Sequence, residues 1–206
     1  MCDRTPEPIP DRDLAPGDEG RLVDLARNGD VEALGALFVA HAARVRRLLR
    51  SVLGPDDEID DVAQEVFVQA HRSIRRFRGD SGFPTWLHRL AVNTAISHLR
   101  SRARRRARFE ASPDAPFASL GPSPAARAEA RELVRRLFAI LDALPVKRRV
   151  AFALFELEGL PLDGIAAVLD ITPEAAKSRG FFARREVLAR AAADPRLGAW
   201  LKEAGT

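Results

Sequence analysis

At 206 residues, 46% hydrophobic and 30% charged, the chain is long enough for one large or two small globular domains. It has no apolar run near the roughly 20 residues that span a bilayer, so membrane insertion is not expected. Its one cysteine, Cys2, excludes a disulfide framework and a cysteine-based metal site and fits a reducing cytoplasm. The formal charge is +4 with a pI near 10.1 because the cations are almost all arginine, an excess that suits phosphate binding and that a GC-rich coding genome also produces.

Residues 1–19 are acidic and proline-rich, carry too little apolar surface to offset chain entropy, and read as a disordered tail rather than a signal peptide. The next stretch places Leu34, Leu37, Phe38, Val45, Leu48, Leu49 and Val52 at three- and four-residue spacings before Gly54-Pro55. This spacing predicts a helical hairpin. A further helix starts between Asp57 and Asp61 and runs to about Ile74, with Val62, Val66, Ala70 and Ile74 on one stripe. Its other face carries Asp61, Gln64, Glu65 and Val68. Six carboxylates (Asp56, Asp57, Glu58, Asp60, Asp61 and Glu65) fall within ten residues here. The helix macrodipole favours acids at such an N-terminus, which accounts for Asp56 to Asp61 but not for Gln64 and Glu65.

A Gly- and Pro-bearing loop, "FRGDSGFPTW" (77–86), leads into a helix whose Trp86, Leu90, Ile96 and Leu99 can face a core. The helix ends in "HLRSRARRRAR", with six arginines in positions 100–108 and no acid before Glu110. Like charges packed so closely repel, so the run costs stability unless a polyanion or nearby carboxylates offset it. Phosphate binding is the economical reading. Residues 109–127 hold four prolines and no lasting period, and read as an interdomain linker.

Beyond the linker, 128–192 reads as a second helical domain, with Leu133, Val134, Leu137, Phe138 and Leu141 on one face of its first helix. Pro145 opens another helix, closed by Gly159, and two short helices follow. The second starts at Thr172-Pro173, a hydroxyl that caps free amides followed by a residue whose missing proton is no loss. With small Ala166 and Ala167 in the first helix and "LDIT" as the turn, the pair reads as a helix-turn-helix whose second helix enters a major groove. Glu174, Lys177, Ser178, Arg179, Arg184 and Arg185 are available to phosphates and base edges, while Ala175, Phe181 or Phe182, and Val187 can anchor the helix in the core. In the extension 193–206, Trp200 and Leu201 fit either a short docking helix or a mobile tail. No period-2 strand appears, so the expected fold is all-α, two small helical domains joined by a flexible linker, the second containing the helix-turn-helix. No HExxH, Gly-rich phosphate loop or Cys/His cluster appears, and His41, His71, His88 and His98 are scattered and read as surface or helix-face residues. Catalytic residues, metal and cofactor are not expected.

Four blocks, "D-x-x-Q-E-x-F", "F-R-G-D-x-x-F-x-T-W-L", "N-x-x-x-x-x-L-R" and the stretch from "A-L-P" to "K-S-R", occur in an order and spacing that resemble the extracytoplasmic-function group of bacterial RNA polymerase sigma factors, within the sigma-70 family. The likeness covers about residues 20 to 190. It implies that 20–108 is sigma domain 2 and 128–192 sigma domain 4. The acidic helix would then dock on a basic coiled coil of the polymerase clamp, with Asp60, Asp61, Gln64, Glu65 and Phe67 on or beside that surface. Asp80, Ser81, Phe83, Arg89, Asn93, His98, Arg100 and Arg104 would serve the minus-10 element, whose flipped base needs a polar pocket and a wall to stack on. Thr172, Glu174, Lys177, Ser178, Arg179, Arg184 and Arg185 would serve the minus-35 element. Core RNA polymerase (clamp coiled coil and flap), promoter DNA and an anti-sigma protein are the implied partners. The implied location is cytoplasmic, including tethering to the membrane through the anti-sigma protein.

The chain departs from the family pattern at "P-L-D-G-I-A", where "S-x-E-E-I-A" is frequent, at Asp170, where a turn glycine is common, and at Gly180, which is expected to loosen or bend the recognition helix. A free-standing helix-turn-helix regulator is the alternative, and it leaves the acidic helix and the following loop without a role.

Overall fold

Residues 18–108 and 124–203 are described by the computed structural model, with side chains over 18–105 and 128–203. Helices α1 (Asp18–Arg27), α2 (Val31–Leu53), α3 (Ile59–Ser73) and α4 (Phe83–Arg108) form the N-terminal half, with a 3-10 turn at Ile74–Arg76 after α3. The C-terminal half holds α5 (Pro124–Asp142), α6 (Val146–Phe152) with a π turn at Ala153–Leu157, α7 (Leu162–Leu169), α8 (Pro173–Ala193) and α9 (Pro195–Glu203). Among the described residues there is no strand. Of the tail expected over 1–19 only Asp18 and Glu19 are described, and they already begin α1. The rest of that tail, and the expected linker up to residue 123, lie outside the described residues.

Local chemistry sets the helix ends. Asp30 caps α2 by accepting from the Ala33 amide at 3.0 Å. Gly54 ends α2 at φ 82°, and a Cβ there would stand 2.4 Å from the Phe138 ring, so both backbone and space require glycine. The α3 stripe is buried as its spacing predicts, with Val62, Val66, Ala70 and Ile74 all at or below 4% exposure. Helix α4 begins earlier than expected: Phe83 is its first residue, because its ring closes an aromatic cluster with Phe77, Trp86 and His41 at centroid distances of 5.3–6.2 Å.

In the C-terminal half Asp170 takes the left-handed conformation (φ 53°, ψ 54°) that ends α7, at the position where the family pattern favours glycine. The Thr172 hydroxyl accepts from the Ala175 amide at 3.2 Å and starts α8. That helix runs for 21 residues, Pro173–Ala193, and Gly180 does not break it. A Cβ at Gly180 would meet the Phe155 ring at 2.4 Å, so the glycine lets Phe155 lie against the α8 backbone. Gly180→Ala is expected to cost about 1–3 kcal/mol through overpacking, readable as a lower urea midpoint with unchanged slope. Asp194 caps α9 through the Arg196 and Leu197 amides, so 195–203 is helical, but the residue it buries is Leu197 at 6% exposure, while Trp200, expected to dock, is 51% exposed.

The two halves pack on each other. One apolar cluster runs from Val23 through Leu99 on to Val150, Leu154, Ile165 and Ala176. Arg149 is its polar seal: 2% exposed, it donates to the Val52 and Leu53 carbonyls at 2.7 Å each and to Asp142. Those carbonyls are the orphan acceptors at the end of α2.

Candidate protein and nucleic-acid interfaces

Because the apolar stripe of α3 is spent on the core, its acidic face is left in solvent. Asp61, Gln64 and Glu65 are exposed, and Asp60 pairs with Arg46 at 2.8 Å. Beside them runs an open groove of about 510 Å³ lined by Phe38, Arg46, Asp60, Asp61, Ala63, Gln64, Phe67, Val68 and His71. The Phe38 and Phe67 rings lie 4.7 Å apart, tilted by 42°, in this groove. The fold therefore gathers Asp60, Asp61, Gln64 and Phe67 on one surface, with Glu65 adjoining. Phe38 belongs to it too, although its spacing alone assigns it to the hairpin core.

Just upstream, Asp56 turns inward, while Asp57 and Glu58 stay exposed. Asp56, with a side chain only 8% exposed, accepts from Arg102 at 2.8 Å and faces His98 at 3.2 Å. Burial pushes its carboxyl up, but the Glu58 amide, Arg102 and His98 outweigh this and hold it below the usual carboxylate range. Arg102 also reaches Asp142 at 2.8 Å, and Arg105 pairs with Glu58 at 3.2 Å. Intramolecular acids thus offset two cations of the basic run. Arg100 and Arg104 are exposed and have no side-chain partner among the described residues.

Of the residues expected to serve the minus-10 element, Arg89, Asn93, Arg100 and Arg104 share one side of α4 by helical spacing, and Phe83 and His98 do not lie with them. Asp80 and Asn93 are exposed, and Ser81 is half-buried, in or beyond the turn at Gly79 (φ 81°). Arg89 donates to the Ala167 carbonyl at 2.6 Å, across to the C-terminal half. Two assignments need correction. Phe83 is 3% exposed and belongs to the core, so it is no wall for a flipped base in this structure. His98, its side chain 11% exposed, faces Asp56 and Glu58 rather than an outer helix face. Nor are all the histidines surface residues: His41 is 7% exposed and bonded to Glu19 at 3.0 Å. His88 is pushed down to about 4, first by burial and then by Arg44, His41 and Arg47.

On α8, Ala176, Gly180, Ala183 and Val187 are buried. Glu174, Lys177, Ser178, Arg184 and Arg185 are exposed around the opposite side and Arg179 is half-buried, with Thr172 at the cap. Arg184 lies 3.7 Å from Glu156. Phe181 and Phe182 do not anchor the helix: both are exposed, because Phe155 fills the space over Gly180.

Two family models match, sigma-70 region 2 over residues 37–105 and sigma-70 region 4 over 135–187. The ECF RNA polymerase sigma-E factor of Escherichia coli strain K12 is 35% identical over 173 residues, 81% of this chain and 90% of that protein. The chain belongs to the ECF RNA polymerase sigma factors. The corresponding sigma-E factor of Haemophilus influenzae is 36% identical over 81% of this sigma factor and 91% of its own length. A solved structure of CnrH in complex with the cytosolic domain of CnrY superposes with TM-score 0.61 at 26% identity, covering 86% of this chain and 99% of that one.

The match to region 2 runs from within α2 into α4 and ends inside the arginine run, and the match to region 4 runs from the second half of α5 into α8. The sigma factor is thus a polymerase-binding, promoter-recognising subunit, and a free-standing helix-turn-helix regulator is not favoured. Among the described residues no helix is long and apolar enough to cross a membrane.

Proposed function

We propose that this sigma factor docks on the basic coiled coil of the polymerase clamp through α3, using Asp60, Asp61, Gln64, Glu65 and Phe67 together with the Phe38 groove. The observation that carries this reading is the α3 surface itself: exposed Asp60, Asp61 and Gln64 flank a groove floored by Phe38, Ala63, Phe67 and Val68. Complementary charge of this kind speeds encounter and fixes register. Residues 20–108 act as the domain that also reads the minus-10 element, with Asp80, Ser81, Asn93, Arg100 and Arg104 as its candidate contacts and Arg89 joining once it leaves Ala167. Residues 128–192 read the minus-35 element through α8. The protein acts as a non-catalytic subunit in the cytoplasm, and an anti-sigma protein is its inhibitor; the likeness to CnrH bound to CnrY supports that last assignment.

Arg179→Ala with Arg184→Ala tests the division of labour. On a duplex promoter the double variant should lose most minus-35 recognition, on the order of tenfold or more in binding, while transcription from a pre-melted promoter survives. Equal losses on both templates would argue against separate reading domains.

A further inference from the structure

Phe181 and Phe182 are 61% and 42% exposed on α8, and neither polymerase docking nor the polar contacts to DNA use them. With Ala176, Gly180, Ala183 and Val187 buried, the 100° step of a helix puts Ser178, Phe182 and Arg185 at the centre of the outward face and Phe181 beside them. The two rings meet edge to face at 5.6 Å and 75°, and the Arg185 guanidinium lies over the Phe182 ring at 5.4 Å. This is an ordered apolar ridge set among cations, continuous with the helix face assigned to DNA. A charge-rimmed ridge of this kind fits a polyanion that offers an apolar spot. In the major groove that spot is the C5-methyl group of thymine.

We propose that Phe181 and Phe182 are specificity residues that cover thymine C5-methyl groups in the upstream promoter element, while the Phe182 ring holds Arg185 towards an adjacent phosphate or guanine. The proposal rests on the reading that α8 enters the minus-35 major groove.

The test uses holoenzyme made from core RNA polymerase and the full chain, with a duplex library randomised over both promoter elements. Thymine should be enriched within the upstream element. Replacing each enriched thymine by deoxyuridine removes only the methyl and should weaken native binding by about fourfold per methyl. The same replacement should leave the double variant Phe181→Ala with Phe182→Ala nearly unaffected, and cytosine to 5-methylcytosine at these positions should restore part of the native affinity. The proposal is overturned if deoxyuridine costs the native protein nothing, or costs the double variant as much. Loss of core-polymerase binding by Phe182→Ala in the absence of DNA would put a protein partner on the ridge and overturn it as well. A library with no upstream preference, together with native DNA binding by Arg184→Ala, would instead remove the minus-35 reading on which the proposal stands. Both phenylalanines are exposed, so these variants are expected to fold.

Discussion

Glu65→Arg should abolish co-elution with core RNA polymerase on size exclusion while leaving the fold intact. The side chain is exposed in the middle of α3, and its one hydrogen bond here is to Gln69 Nε2 at 3.1 Å. Nothing buried depends on it, so stability should move by no more than about 0.5 kcal/mol. The docking surface would change sign locally: an arginine beside Gln64 would face the basic clamp helix, and like charges across an interface cost several kcal/mol, on the order of 100-fold or more in affinity. Unchanged helicity by circular dichroism with lost co-elution is the expected pair of results. Normal transcription by the variant would remove the docking assignment.

Arg149→Leu should have the largest effect on stability. The native guanidinium is 2% exposed and satisfies the Val52 carbonyl, the Leu53 carbonyl and Asp142, and it lies 5.8 Å from the Phe138 ring. Leucine keeps the apolar volume but strands two carbonyls and weakens the tie on Asp142, which retains Arg102. Breaking a buried charged network of this kind costs about 3–5 kcal/mol, which at this chain length lowers Tm by roughly 10 °C. Arg149→Lys should recover little, because an ammonium cannot match the planar fork. A Tm within about 2 °C of native would show that the packing between the halves does not depend on this residue.

The parts of the fold written in local chemistry are legible in the sequence alone. The α3 stripe, the Thr172 cap and the end of α2 at Gly54 each follow from spacing or from one side chain. Arg149 leaves no such mark: in "VKRRVAF" it is one of two adjacent arginines, and only its reach to the carbonyls at the end of α2 in the folded chain makes it the buried one. The burial of Phe83 escapes the sequence for the same reason. Its place in the loop motif points outward, whereas contact with Phe77 and His41 turns it in. The acidic surface of α3 is legible because its residues lie on one helix. The partners of the arginine run are not, since Asp56 and Asp142 lie 46 and 40 residues away from Arg102.

The contact between Arg89 and the Ala167 carbonyl joins two parts of a single chain, so its formation does not depend on how much protein is present. Promoter and polymerase, by contrast, bind according to their concentrations. A phosphate that takes Arg89 must compete with the carbonyl 2.6 Å away. The apparent affinity for such a partner is therefore the intrinsic one multiplied by the fraction of molecules in which Arg89 is free of that carbonyl; if that is about one in a hundred, the apparent Kd rises about a hundredfold. The free concentration of that partner, rather than the amount of this sigma factor, then sets the point at which Arg89 changes hands.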